Sequence, residues 1–132
     1  KMKKKICIVL STYNKDITSK LYLDAKKELK KRKFKKIDFV EVPGAFEIPV
    51  VISKLISKYD GFIAIGCIIK GETKNFDLIS AAITNAIMKL SVDKKKPIGN
   101  SILTLLNRGQ AKSRHNRGKT QNYKTRMGNK RS

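Results

Sequence analysis

At 132 residues and 40% apolar content the chain is sized for one globular domain, which excludes two independent cores. Its 31 Lys and Arg against 10 Asp and Glu give a formal net charge of +21 and a pI near 10.2, far from the balance of most small cytosolic enzymes. No apolar run reaches the length needed to cross a bilayer, so no membrane partner is expected.

Lys1-Met2-Lys3-Lys4-Lys5 precedes Ile6-Cys7-Ile8-Val9-Leu10, a largely β-branched run of the kind that fills a parallel strand buried on both faces. That run is too short for a signal-peptide core and breaks at once into Ser11-Thr12-Tyr13-Asn14, so a cytoplasmic location is expected. A helix is predicted over 16–32, where Ile17, Leu21, Ala25 and Leu29 form one buried stripe and Lys26, Lys27, Lys30 and Lys31 are left for solvent. A second strand follows over 36–42. The segment Val42-Pro43-Gly44-Ala45-Phe46-Glu47-Ile48-Pro49 then turns into a helix starting at Phe46 or Ile48 and ending at Lys58, in whose first turn Pro49 needs no amide donor.

The third strand is predicted over 61–69. Gly66-Cys67-Ile68-Ile69-Lys70-Gly71-Glu72-Thr73 again leads from a buried strand through a glycine-containing turn, here into a helix over 76–92 with Ile79, Ile83, Ala86, Ile87 and Leu90 at helical spacing. After Pro97 comes a fourth strand over 98–105, and Asn107 is suited to cap a short further helix. Strands alternating with helices imply an α/β fold, a three-layer sandwich with a four-stranded parallel sheet in flavodoxin-like order 2-1-3-4, flanked by helices. Both glycine-containing loops fall at strand ends, where open α/β sheets bind small molecules, and they can converge on one ligand.

Cys7 and Cys67, the only cysteines, both lie inside apolar strands and read as structural thiols. No cluster of His, Cys or carboxylates has ligand spacing, so no metal is expected. Every acidic residue lies at or before Asp93, whereas 108–132 holds nine Lys or Arg and no carboxylate. Periodicity stops beyond Arg114, which divides the chain into an α/β domain over 1–114 and a basic tail, expected to be mobile, over 115–132.

Ser11-Thr12-Tyr13-Asn14, the block from Val42 to Pro49, the block from Gly66 to Asp77, Ile102-Leu103-Thr104 and Gln110-Ala111-Lys112-Ser113-Arg114 together resemble the lumazine synthases of riboflavin biosynthesis. The resemblance covers about 6–114, with all five fragments in order on the matching elements. It implies a transferase that condenses 5-amino-6-(D-ribitylamino)uracil with 3,4-dihydroxy-2-butanone 4-phosphate, giving 6,7-dimethyl-8-ribityllumazine, phosphate and water without metal or organic cofactor. It also implies a homo-oligomer, a pentamer or a multiple of one. Since the aminouracil is already a nucleophile, holding two substrates in register supplies much of the acceleration, an effect worth roughly 7–11 kcal/mol at best.

By that resemblance Tyr13 stacks on the pyrimidine and Asn14 supports its turn. Ala45, Phe46 and Glu47 take the ribityl chain and uracil edge, while Cys67, Ile68 and Ile69 line the pyrimidine pocket. Gly71, Glu72 and Thr73 form a phosphate-binding turn, Arg114 pairs with the same phosphate, and Asn100 serves a neighbouring subunit's pocket. Without the resemblance, Tyr13 is a loop tyrosine packing on its own fold, Glu47 a helix-start carboxylate favoured by the dipole, and Arg114 solvated charge.

Two departures stand out. In Thr73-Lys74-Asn75-Phe76-Asp77, Asn75 occupies the position of the family's proton-transfer histidine. An amide does not change protonation near neutrality, and general acid–base catalysis is commonly worth about 10²–10⁴ in rate. Reduced activity, with water or Asp77 assisting, is the expectation; the alternative is a catalytically weak relative that binds a ribityl-pyrimidine or a flavin. Taken alone, Asn75 is a cap for the third helix. Secondly, the family's C-terminal helix is not recognisable, and its phosphate-assisting lysine corresponds to Lys119 or Lys124.

A second alternative is a basic nucleic-acid-associated protein, bound non-specifically through counterion release. Against it, the tail has one aromatic, Tyr123, and the chain shows no nucleic-acid motif. Gly118-Lys119-Thr120 lacks the earlier glycine of a phosphate-binding P-loop, Ser113 standing there instead. His115, the only histidine, follows Arg114 directly and reads as an ordinary tail residue.

Overall fold

The computed structural model describes residues 4–110. Its elements are β1 (Lys5–Ser11), α1 (Lys15–Lys31), β2 (Lys36–Val42), a 3-10 turn (Ala45–Glu47) running into α2 (Ile48–Leu55), β3 (Gly61–Ile69), a second 3-10 turn (Lys70–Glu72), α3 (Phe76–Lys94) and β4 (Ile98–Leu105). All four strands are parallel, in the order β2-β1-β3-β4, as the sequence predicts.

Side chains of the central strands alternate between two cores, the period of an extended chain. Ile6, Ile8 and Leu10 of β1 and Ile65 of β3 pack under Leu21, Ala25 and Leu29 of α1. Ile17, Cys67, Ile69 and Leu105 continue that layer toward the strands' C-terminal ends, so the predicted stripe of α1 is buried along its length. On the other face Cys7, Val9, Phe62, Ala64 and Ile68 meet Ile48 and Ile52 of α2 and Ile83 and Ile87 of α3. A sheet covered on both faces in this way needs apolar residues at every position of its central strands, which is why β1 and β3 read as continuous runs.

The largest boundary difference from the sequence prediction is at the end of α2; β1, α1 and α3 differ by one or two residues. α2 ends at Leu55, and residues 56–58 form a turn rather than the last helical residues. The Lys58 amide donates to the Leu55 carbonyl at 2.9 Å, the tighter bonding of a helix that is stopping. The chain is drawn back to the sheet because the Asp60 amide donates to the Lys5 carbonyl at 2.8 Å and the Lys5 amide donates to Asp60 Oδ2 at 2.7 Å. This reciprocal tie starts β3 beside β1.

Burial pushes both thiols up to about 11, with Asp38 adding to the rise at Cys7 and Arg108 opposing it at Cys67. Both are therefore neutral at physiological pH, which suits packing and not nucleophilic attack. The unfolded chain loses the Cys7 proton near 9.0 and the folded chain keeps it to about 11. Its contribution to stability is thus fully present below about pH 9 and lost as pH rises through about 11. In thermal unfolding, the advantage of the native chain over a Cys7→Ala variant is expected to be constant up to pH 9 and to shrink between pH 9 and 11; an unchanging difference would exclude a raised thiol.

Candidate functional site

The strand order reverses between β1 and β3, the switch point at which open α/β sheets form a crevice. β1 pairs with β3 as far as Leu10 and Ile65, and β3 then runs on to Ile69 paired with β4 alone. The four residues from Gly66 to Ile69 therefore turn a main-chain edge toward the crevice. Their side chains serve the two cores: Cys67 and Ile69 face α1, Ile68 faces the α2–α3 side, and all three are buried. What the end of β3 offers a ligand is backbone.

Two loops are pinned together beside this edge. The Thr12 amide donates to the Val42 carbonyl at 2.8 Å and the Tyr13 amide to the Pro43 carbonyl at 3.0 Å, tying the β1–α1 loop to the loop after β2. A Cβ on Gly66 would lie 3.1 Å from Ala45 Cβ and 3.4 Å from Ser11 Oγ, so glycine lets the Ala45–Glu47 turn sit close against β3, and a side chain here would push that turn back by a few tenths of an ångström. Tyr13 is 52% exposed and Phe46 59%, two aromatic side chains on neighbouring loops that present faces to solvent. Glu47 is partly committed: its Oε1 accepts from the Gly44 amide at 2.9 Å while its own amide donates to the Gly44 carbonyl at 3.2 Å. The helix-start reading of this carboxylate holds for one oxygen.

Both loops that follow the switch-point strands end in a left-handed asparagine. Asn14, at φ 63° and ψ 48°, opens α1, and Asn75, at φ 54° and ψ 45°, opens α3. Asparagine tolerates this region better than most residues. Each uses its carbonyl to start the helix, Asn14 accepting from the Thr18 amide at 3.0 Å and Asn75 from the Ile79 amide at 2.9 Å. Neither side chain makes a capping hydrogen bond, so Asn75 holds the cap position without acting as a side-chain cap. Its amide belongs instead to the rim of an open hollow of about 420 Å³ lined by Lys70, Thr73, Asn75, Phe76, Asp77 and Leu78.

Arg108, just past β4, is not among the sequence-predicted site residues, yet it joins three loops. Its Nε donates to Glu72 Oε2 at 2.7 Å and its Nη2 to Glu72 Oε1 at 3.2 Å, a two-pronged pair. Nη2 also donates to Asn14 Oδ1, and Nη1 lies 3.8 Å from Asp16 Oδ1. The Glu72 carboxylate thereby holds the Arg108 guanidinium more firmly protonated than usual. The only sequence signal was position: an arginine one residue after a predicted cap, on the side of the sheet where the other loops gather. Asn107 does form that cap, its Oδ1 and carbonyl both accepting from the Gln110 amide at 3.2 Å.

Asn14 Nδ2 and Ser11 Oγ are buried at this end of β1 with no partner among the described residues, as is Ser80 Oγ on α3. Gly71 and Glu72 lie on the exposed turn before α3, where the Thr73 amide donates to the Lys70 carbonyl at 3.4 Å. Asn100 is not brought to this cluster within one chain. It pairs with Ala64, two register positions before Gly66, on the side of β3 away from β1, and its Oδ1 accepts from the Ile102 amide at 2.9 Å. Arg114, His115, Lys119 and Lys124, with the whole segment 115–132, lie outside the described residues. Among the described residues no group of three or more His, Cys, Asp or Glu is placed to hold a metal ion, and no helix is long and apolar enough to cross a membrane.

Comparison with known proteins gives the cluster a context. Residues 3–129 match the family model described as 6,7-dimethyl-8-ribityllumazine synthase. The chain is 36% identical to the protein of that name from Corynebacterium kroppenstedtii, over 83% of this chain and 69% of the relative. It is 39% identical to its namesake from Limosilactobacillus reuteri and 40% identical to that from a Polaromonas species, over 83% of this chain and 73% of the relative in each case.

Gly66→Val tests the close approach that assembles the cluster. Forcing the Ala45 turn away from β3 is expected to lower stability by about 1–3 kcal/mol in urea unfolding, the usual range for overpacking. Unchanged stability would show that the turn does not depend on the glycine.

Proposed function

The chain belongs to the 6,7-dimethyl-8-ribityllumazine synthase family, and on that premise we propose how its residues condense 5-amino-6-(D-ribitylamino)uracil with 3,4-dihydroxy-2-butanone 4-phosphate. The single observation that supports the residue assignments best is the convergence of the loops after β1, β2 and β3 on the main-chain edge of Gly66–Ile69, where β3 runs on past its pairing with β1. A template needs such an edge: fixed donors and acceptors that hold a flat heterocycle, with no reactive side chain required.

Tyr13 stacks on the pyrimidine, with Asn14 fixing its loop. The backbone at Cys67, Ile68 and Ile69 reads the ring edge. Ala45, Phe46 and Glu47 receive the ribityl chain, the second oxygen of Glu47 accepting from its hydroxyls. Gly71, Glu72 and Thr73 form the turn that takes the phosphate, and Arg114 pairs with it. Held in register, the aminouracil amine attacks the ketone carbonyl and water leaves to give an imine. Phosphate departs next, and attack by the ribitylamino nitrogen closes the ring with loss of water. Asn75 hydrogen-bonds but transfers no proton, so protons pass through water or through Asp77, which lines the same hollow.

The working unit is a homo-oligomer, a pentamer or a multiple of one, in the cytoplasm. α3 supports this by carrying an apolar stripe on its outer face: Leu78, Met88 and Val92 are each more than 60% exposed. Exposed apolar side chains aligned along one helix face are suited to being covered at an interface. Asn100, on the edge strand β4 and on the side of β3 away from the crevice, serves a neighbour's site. The catalytic unit spans 1–114, with the basic segment 115–132 beyond it.

Lumazine fluorescence after mixing both substrates is expected to rise faster with the native chain than without enzyme. Asn75→His should raise kcat at least about tenfold, toward the range of general acid–base catalysis. The variant should also acquire a pH dependence with a midpoint near ~6.5 that the native chain lacks. No lumazine above the uncatalysed rate from either protein would overturn the reading. For assembly, Met88→Glu with Val92→Lys should shift the sedimentation of the full chain toward monomer; an unchanged particle would remove α3 from the interface.

A further inference from the structure

Glu72 presents a difficulty for the phosphate turn. A carboxylate at the centre of a turn that receives a phosphate opposes the ligand's charge, by an amount comparable with the attraction a cation would add. We propose that Arg108 is a positioning residue for the butanone phosphate: it masks the Glu72 carboxylate and aims it away from the turn. The proposal rests on the reading of Gly71–Thr73 as the phosphate subsite.

The geometry is specific to masking. The Arg108 fork engages both carboxylate oxygens, at 2.7 and 3.2 Å, and leaves neither facing the ligand uncompensated. Its remaining Nη2 bond, to Asn14 Oδ1, comes from the opposite side of the crevice and holds the guanidinium across the gap between β1 and β3. Asp16, 3.8 Å from Nη1, is the other carboxylate on the guanidinium and further fixes it. Lys70 and Lys74 flank the turn in sequence, but neither is paired with Glu72; its ion pair among the described residues is with Arg108.

Loss of Arg108 should leave the pyrimidine half of the crevice in place. The β1–α1 loop stays bonded to the loop after β2 through Thr12 and Tyr13, and Asn14 stays bonded to α1 through its carbonyl. The predicted effect is therefore confined to the phosphate-bearing substrate. A merely structural arginine would disturb both substrates together.

Steady-state kinetics on the full chain separate these cases, varying each substrate in turn, with inhibition by inorganic phosphate as a second readout. Arg108→Gln should raise KM for the butanone phosphate and the phosphate inhibition constant roughly fivefold or more, with kcat and KM for the aminouracil within about twofold. Adding Glu72→Gln to that variant removes the unmasked charge and should return KM for the butanone phosphate to within about threefold of native. Arg108→Lys, which keeps the charge and loses the fork, should fall between. The proposal is overturned if Arg108→Gln leaves both phosphate readouts unchanged, if both KM values rise together, or if the double variant recovers nothing. A native chain that neither turns over nor is inhibited by phosphate overturns the subsite reading itself, and Arg108 masking with it.

Discussion

Everything at the functional end of this protein depends on β3 outrunning β1. The two strands share a register from Ile6 and Gly61 to Leu10 and Ile65, after which β3 continues for four residues with β4 as its only strand partner among the described residues. The extension is possible because its side chains still have cores to enter on both sides, and those cores are closed by Ile17 and Leu105 on one face and by Ala45 and Ile48 on the other. Apolar burial thus holds in place a peptide edge that β1 does not pair. Were residues 66–69 polar, the strand would fray and the crevice would lose its floor.

The net charge of +21 says little about the crevice. Four of the ten carboxylates, Asp16, Glu47, Glu72 and Asp77, lie in its loops or the first turns beside them, so the local balance is near that of an ordinary enzyme site. Glu47 is bonded to a backbone amide and Glu72 to Arg108, and each is thereby restrained. The remaining cations act at longer range, drawing phosphate-bearing molecules toward the surface with a strength that salt reduces.

The strands were legible because their burial is two-sided: three of the four have the predicted bounds and β1 differs at its ends by a residue. α1 was legible from its four-residue stripe, and the start of α3 from the loop before it. The end of α2 was not, since Ile56, Ser57 and Lys58 are acceptable helix residues and the stop comes from a tertiary tie between Asp60 and Lys5. Arg108 was hidden by composition: among nine cations in one segment nothing local distinguishes the one that meets Glu72, 36 residues earlier. Cys67, Ile68 and Ile69 do lie at the end of the third strand, but strand alternation sends their side chains to opposite cores, so the proposed contact with a ligand falls to their main chain.

The left-handed backbone at Asn75 acts as a filter on sequence drift. It admits asparagine, aspartate, histidine and glycine at little strain and penalises branched or bulky residues. Exchange within the admitted set leaves the start of α3 intact, since the helix is opened by the carbonyl of that residue and not by its side chain. If position 75 is the proton-transfer position proposed above, its chemistry is uncoupled from folding. A chain can pass between histidine and asparagine here with stability nearly constant, so the requirement to fold selects neither residue over the other.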